Sequence, residues 1–246
     1  MKPFERLDRA SAPDGTELVL YRHDGDYVIR VDGVELMSTR RHHSEDELAT
    51  RTCTPLADHP APRVCIGGLG LGFTLRRALE LLPSAATVVV VELVEAVLRW
   101  NAEPAYALAG DALRDPRVTV VHGDVHAVLD APAEPFHAIL LDVDNGADAL
   151  VHRGNARLYD DRGLRRALAA VVPGGVVAYW SADRDESFAR ALRRVGARVD
   201  AVEVRARANK GARHMLYLAR RPEAARDASA ARASDRPTIA PTSSRD

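Results

Sequence analysis

The stretch Arg63-Val-Cys-Ile-Gly-Gly-Leu-Gly-Leu-Gly-Phe-Thr-Leu-Arg-Arg77 constrains the fold more than any other part of the chain. A short apolar run, Val64 to Ile66, meets Gly67, Gly68, Gly70 and Gly72, and a helical pattern opens at Phe73. Glycines packed between a strand and a helix let the backbone turn sharply and approach a ligand closely, because no Cβ intervenes. Strands and acids further along the chain give this turn its meaning.

From Arg63 the sequence alternates strand and helix. Strand runs are expected at 64–67, 87–93, 118–122, 138–142 and 175–180, with helical runs at 73–82, 94–102, 125–130 and 162–171. Val88-Val-Val-Val91 is continuously apolar, as a strand covered on both faces must be. A helix over 186–195 and two strands, 199–204 and 214–219, close the pattern. This alternation predicts an α/β, doubly wound, mostly parallel seven-stranded Rossmann-like sheet with an antiparallel end.

Ahead of it stand three β-like runs, 18–21, 27–31 and 34–37, separated by Asp24-Gly25 and Asp32-Gly33. Such dipeptides signal two-residue hairpin turns, so a three-stranded meander is expected, too small to stand alone. Ser44-Glu-Asp-Glu47 has the spacing of a helix capping box. The expected organisation is a polar N-terminus over 1–15, a meander plus helix over 16–60, a ligand-binding domain over 61–221 and a disordered tail over 222–246.

Ligands of open α/β sheets sit outside the C-terminal strand ends. There the chain places the glycine turn, then Glu92, then Gly123-Asp124, then Asp142-Val-Asp144. Glu92 lies 20 residues after Gly72, a placement that lets a carboxylate accept hydrogen bonds from both ribose hydroxyls of a nucleoside. Asp124 serves equally well as a helix N-cap. A dinucleotide site needs Gly-x-Gly-x-x-Gly, whereas Gly68, Gly70 and Gly72 give Gly-x-Gly-x-Gly, with nothing basic placed for phosphate. An adenosyl-sulfonium ligand fits this set better, and no metal is expected, since His42 and His43 lack partners at metal-site spacing.

At these residues the chain resembles the spermidine synthase family. The matching elements are the Gly-Gly-x-Gly-x-Gly loop of 67–72, Glu92, Asp115-Pro-Arg-Val118, Gly123-Asp124 and the Ile-Leu-Leu-Asp142 strand, within a region of about 16–220. The resemblance implies a class I AdoMet-dependent methyltransferase fold with a small N-terminal β-domain. It implies that Glu92 holds the ribose, Asp124 the adenine amino group and Asp142 the reacting amine, with Gly67, Gly68, Gly70, Gly72 and Gly123 shaping the cofactor site. Three departures bear on the reaction. Gly70 stands where the family carries an Asp that pairs with the amine of decarboxylated AdoMet. Asp142-Val-Asp144-Asn-Gly replaces the family's Asp-Ser-Ser-Asp-Pro, and His43-Ser-Glu45 is the nearest text to its Tyr-His-Glu gate.

These departures favour methyl transfer from S-adenosylmethionine to a small amine-bearing acceptor, with Asp142 and Asp144 as the catalytic carboxylates. The alternatives are aminopropyl transfer from decarboxylated S-adenosylmethionine, and a non-catalytic AdoMet-binding regulator. Net charge is −1, so no global field draws nucleic acid or an anionic membrane. Two cysteines, Cys53 and Cys65, no N-terminal apolar h-region and no membrane-length run lead to the expectation of a cytoplasmic protein. Exposed meander edges favour a homodimer.

Overall fold

A computed structural model describes residues 3–106, 108–109, 111–143, 156–208 and 210–223. Asp144 and most of the expected tail, from residue 224 onward, lie outside the described residues.

The chain opens with a four-stranded antiparallel sheet in the order β1-β2-β3-β4, formed by Glu5–Ser11, Glu17–His23, Asp26–Val31 and Val34–Ser38. One strand more than expected is present. β1 reads Glu-Arg-Leu-Asp-Arg-Ala-Ser, polar at most positions, so it carries no apolar alternation that marks it as a strand. It pairs with β2 from Glu5↔Arg22 to Ser11↔Glu17 and forms an edge.

Helix α1 (His43–Cys53) follows, and then the alternating part: β5 (Arg63–Gly67), α2 (Phe73–Leu81), β6 (Thr87–Glu92), α3 (Glu95–Ala102), β7 (Val118–His122), α4 (Val125–Asp130) and β8 (Phe136–Leu141). α5 (Ala156–Tyr159), α6 (Asp161–Ala169), β9 (Val171–Ser181), α7 (Glu186–Arg194), β10 (Arg198–Arg207) and β11 (Lys210–Arg220) complete it. The seven strands lie in the order β10-β11-β9-β8-β5-β6-β7. β11 runs antiparallel to both neighbours, and the other pairs are parallel.

From β5 the chain winds outward to β6 and β7, then returns to β8 on the other side of β5 and continues to β9. The reversal sits between β5 and β8, the crevice where ligands of such sheets bind. Side chains alternate across the sheet with a period of two. Val64, Ile66, Ala138, Leu140 and Ala178 face one core, which they share with Leu48 of α1 and Leu75 of α2. Cys65, Ile139, Leu141 and Tyr179 face a second core with Leu164 of α6 and Phe188 of α7. Leu18, Leu20, Ile29 and Val31 of the small sheet belong to the first core, so that sheet has no core of its own.

The expected capping box of α1 does not form. The Ser44 hydroxyl donates to Glu45 Oε2 at 2.5 Å, and the helix begins after His42 with no side-chain cap.

Candidate functional site

The glycine turn is built as its composition requires. Gly68, Gly70 and Gly72 have φ of 89°, 52° and 80°, the left-handed region that side chains disfavour. Gly68 is needed for space as well, since a Cβ there would collide with the Asp142 carbonyl oxygen. Backbone hydrogen bonds knit four strand ends together: Gly68 N–H donates to Val91 O at 2.8 Å, Asp142 N–H to Gly67 O at 2.9 Å and Gly123 N–H to Glu92 O at 2.9 Å. Asn101 on α3 anchors the turn from outside, its Nδ2 donating to Gly70 O at 2.8 Å.

Glu92 closes β6 and is 7% exposed. Its Oε2 accepts from the Leu69 N–H at 2.9 Å and its Oε1 from the Val94 N–H at 2.8 Å. Burial pushes its carboxyl above the usual range, and the backbone donors hold it down. Asp124 caps α4, its Oδ1 accepting from the His126 N–H at 2.9 Å, so the N-cap role is real. It also lines the same cavity as Glu92.

Asp142 immediately follows β8, and strand alternation turns it toward the α1–α2 face. There Thr74 of α2 donates to its Oδ2 at 2.9 Å. Glu45 of α1 stands close enough to feel its charge. Burial pushes both carboxyls above the usual range, and the Asp142 charge raises Glu45 further. Neither has an ion pair among the described residues. Asp142 therefore has an acidic partner, Glu45, which α1 brings in from far away in sequence. Spacing alone cannot supply that pairing, and the only sign of it in the sequence is the His43-Ser-Glu45 text. The Asp115-Pro-Arg-Val118 stretch works elsewhere. Arg117 donates to both Asp115 carboxylate oxygens, at 2.9 and 2.8 Å, and to Leu82 O at 2.8 Å, bracing the entry to β7.

These groups surround a cavity of about 660 Å³, open mouth included. Gly68, Gly70, Glu92, Gly123, Asp124 and Asp142 form its floor, and Leu18, Ile29, Leu36 and Met37 of the small sheet form its roof. Gly67 and Gly72 shape the turn from behind: Gly67 packs against Leu141 and Val125, Gly72 against Ala109. The lining carries three carboxylates and, among the described residues, no basic side chain. A cationic ligand with a ribose fits such a wall; a phosphate does not.

No family model matches the chain, and a search of curated proteins found no match. Solved structures do resemble it. A spermidine synthase bound to the transition-state analogue AdoDATO superposes with a TM-score of 0.68 at 17% identity, over 89% of this chain and 73% of that one. Spermidine synthase from Thermotoga maritima gives 0.68 at 16% identity over the same shares. A probable spermidine synthase from Corynebacterium glutamicum gives 0.62 at 17% identity, over 89% of this chain and 81% of that one. The seven-stranded mostly parallel sheet with its small N-terminal sheet is thus a spermidine synthase-like fold, of the class I methyltransferase type.

Proposed function

We propose that this protein is a transferase that moves an alkyl group from an adenosyl-sulfonium donor to a small amine, and that the group is aminopropyl, taken from decarboxylated AdoMet. One observation carries the choice of donor. The cavity presents Glu92, Asp124 and Asp142 and no base among the described residues, so a donor keeping its carboxylate would bring a fourth negative charge into an acidic wall. A decarboxylated donor brings only positive charge. The fold shared with spermidine synthases supports the same reading.

In this reading Glu92 accepts hydrogen bonds from the ribose hydroxyls and Asp124 from the adenine amino group. Gly68 and Gly70 let the sulfonium end pass close to the backbone. The acceptor amine arrives as an ammonium ion, held by Asp142 and Glu45. Two half-buried acids with raised affinity for protons suit the next step, because one of them takes the ammonium proton and exposes the nitrogen lone pair. That lone pair attacks the carbon on sulfur, the C–S bond breaks and its electrons leave on the neutral thioether. Positioning in line is most of the catalysis, since the sulfonium is already activated.

Methyl transfer from intact AdoMet is the second reading, favoured by Gly70. A glycine there offers no acid to hold the donor's amine, and Met37 packs over it with Sδ and Cε each 2.9 Å from where a Cβ would stand. Product mass decides between them. Incubation with each donor and a set of small amines is expected to yield an aminopropylated product from decarboxylated AdoMet. Asp142→Asn is expected to abolish that product while leaving donor binding in place. A methylated product from AdoMet alone would replace the first reading with the second.

A further inference from the structure

The roof of the cavity holds a feature that donor chemistry alone does not explain. Met37 lies on β4, paired with Ile29 at a point where the register shifts, and such bulges re-aim neighbouring side chains. Its thioether touches the glycine turn, with Sδ and Cε at 2.9 Å from the Cβ position of Gly70. Asp142 and Val143 line the same cavity. Given the alkyl-transfer reading, the substituent that leaves sulfur for an amine at Asp142 must travel within this cavity.

The geometry points to Met37 as the residue that sets the size and shape of the transferred group, closing the cavity over Gly70 into a slot for a slim, unbranched aliphatic substituent. A thioether is uncharged and only a weak hydrogen-bond acceptor, so it reads this substituent by shape and not by charge. It belongs to the small sheet, which gives that sheet a part in specificity and not only in covering the core. Leu36, Ile29 and Leu18 continue the apolar wall.

The test compares two adenosyl-sulfonium donors of equal charge, one with a straight three-carbon substituent and one with a branched substituent. Met37→Ala widens the slot and is expected to raise kcat/KM for the branched donor relative to the straight one by about tenfold, the usual scale for one or two methylenes in an apolar pocket. Met37→Phe narrows it and is expected to lower turnover of the straight donor while calorimetry still detects the adenosyl moiety. The two variants change volume in opposite directions, so either alone carries the test if the other fails to fold. Donor ratios within about twofold of wild type in the folded variants would overturn the role of Met37 and leave alkyl transfer standing. Wild-type protein that bound neither donor would overturn both.

Discussion

At the scale of single residues, the site is defined by acids that its own framework does not neutralise. Glu92 is the most constrained, because its two oxygens tie the glycine turn to the start of α3. Glu92→Ala is expected to weaken donor binding by at least about tenfold, since charge-assisted hydrogen bonds are worth about 1.5–3 kcal/mol. Titration calorimetry against wild type measures this, and equal affinity would remove Glu92 from the binding set. The pair Asp142 and Glu45 makes a prediction about pH. Burial raises the folded-state pKa of Glu45 above its unfolded value, so the folded state binds the proton more tightly than the unfolded chain. Stability is then fully retained below the ordinary carboxylate range, about pH 4, and falls as pH rises toward the folded pKa. Glu45→Gln removes that burden. It is expected to raise Tm at about pH 8 by about 2–4 °C, for a gain of about 1 kcal/mol, and to change it little near pH 4. A Tm difference independent of pH would mean that the folded protein does not hold the Glu45 proton more tightly than the unfolded chain.

At the scale of elements, the decisive unit is the β5 turn together with the first residues of α2 and the end of β8. Gly68 lets these pack, with its positive φ and its closeness to the Asp142 carbonyl. Gly68→Ala is expected to cost about 2–4 kcal/mol by chemical denaturation, combining backbone strain with a displaced strand end, and to abolish donor binding. The N-terminus of α4 separates two roles of one side chain. Asp124→Ala loses the cap, about 1 kcal/mol, whereas Asp124→Ser keeps a capping oxygen and removes the carboxylate. If Asp124 also holds the adenine, Asp124→Ser is as stable as wild type and binds the donor more weakly. Full donor affinity in Asp124→Ser would leave only the cap.

Much of this level is legible in the sequence, for local reasons. Asp24-Gly25 and Asp32-Gly33 announce hairpins whose four residues all take positive φ, from 48° to 87°. The glycine turn, β6 through Glu92 and the end of β8 come from strand–helix alternation and the apolar run that each strand requires. β1 escapes because an edge strand needs no apolar pattern when its partners supply the core. The Ser44 capping box misleads because the hydroxyl finds a nearer partner in the Glu45 carboxylate. Spacing gives no hint of Glu45 as a partner of Asp142, and only the His43-Ser-Glu45 text points to it. Ninety-seven residues separate the two, and only the packing of α1 against the sheet brings them together.

At the scale of the whole molecule, the small sheet and the seven-stranded sheet make one site between them. The small sheet has no independent core and is fastened by polar contacts as well. Trp100 Nε1 donates to Asp8 Oδ2 at 2.7 Å, and the Tyr27 hydroxyl donates to Ala105 O at 3.3 Å. Its apolar residues roof the cavity while the strand ends of the larger sheet supply the acids. That division offers a ligand one apolar wall and one acidic wall, which suits an adenosyl sulfonium with an aliphatic arm. The acidic wall lacks a base among the described residues, and under the proposed alkyl transfer the charge of the donor is what separates the two candidate donors.

The most direct test is therefore titration calorimetry of the intact protein with decarboxylated AdoMet and with AdoMet, at matched pH and salt. Tighter binding of the decarboxylated donor by about tenfold or more, the equivalent of about 1.4 kcal/mol, is the predicted result. Equal affinity, or a preference for the donor that keeps its carboxylate, would contradict the account.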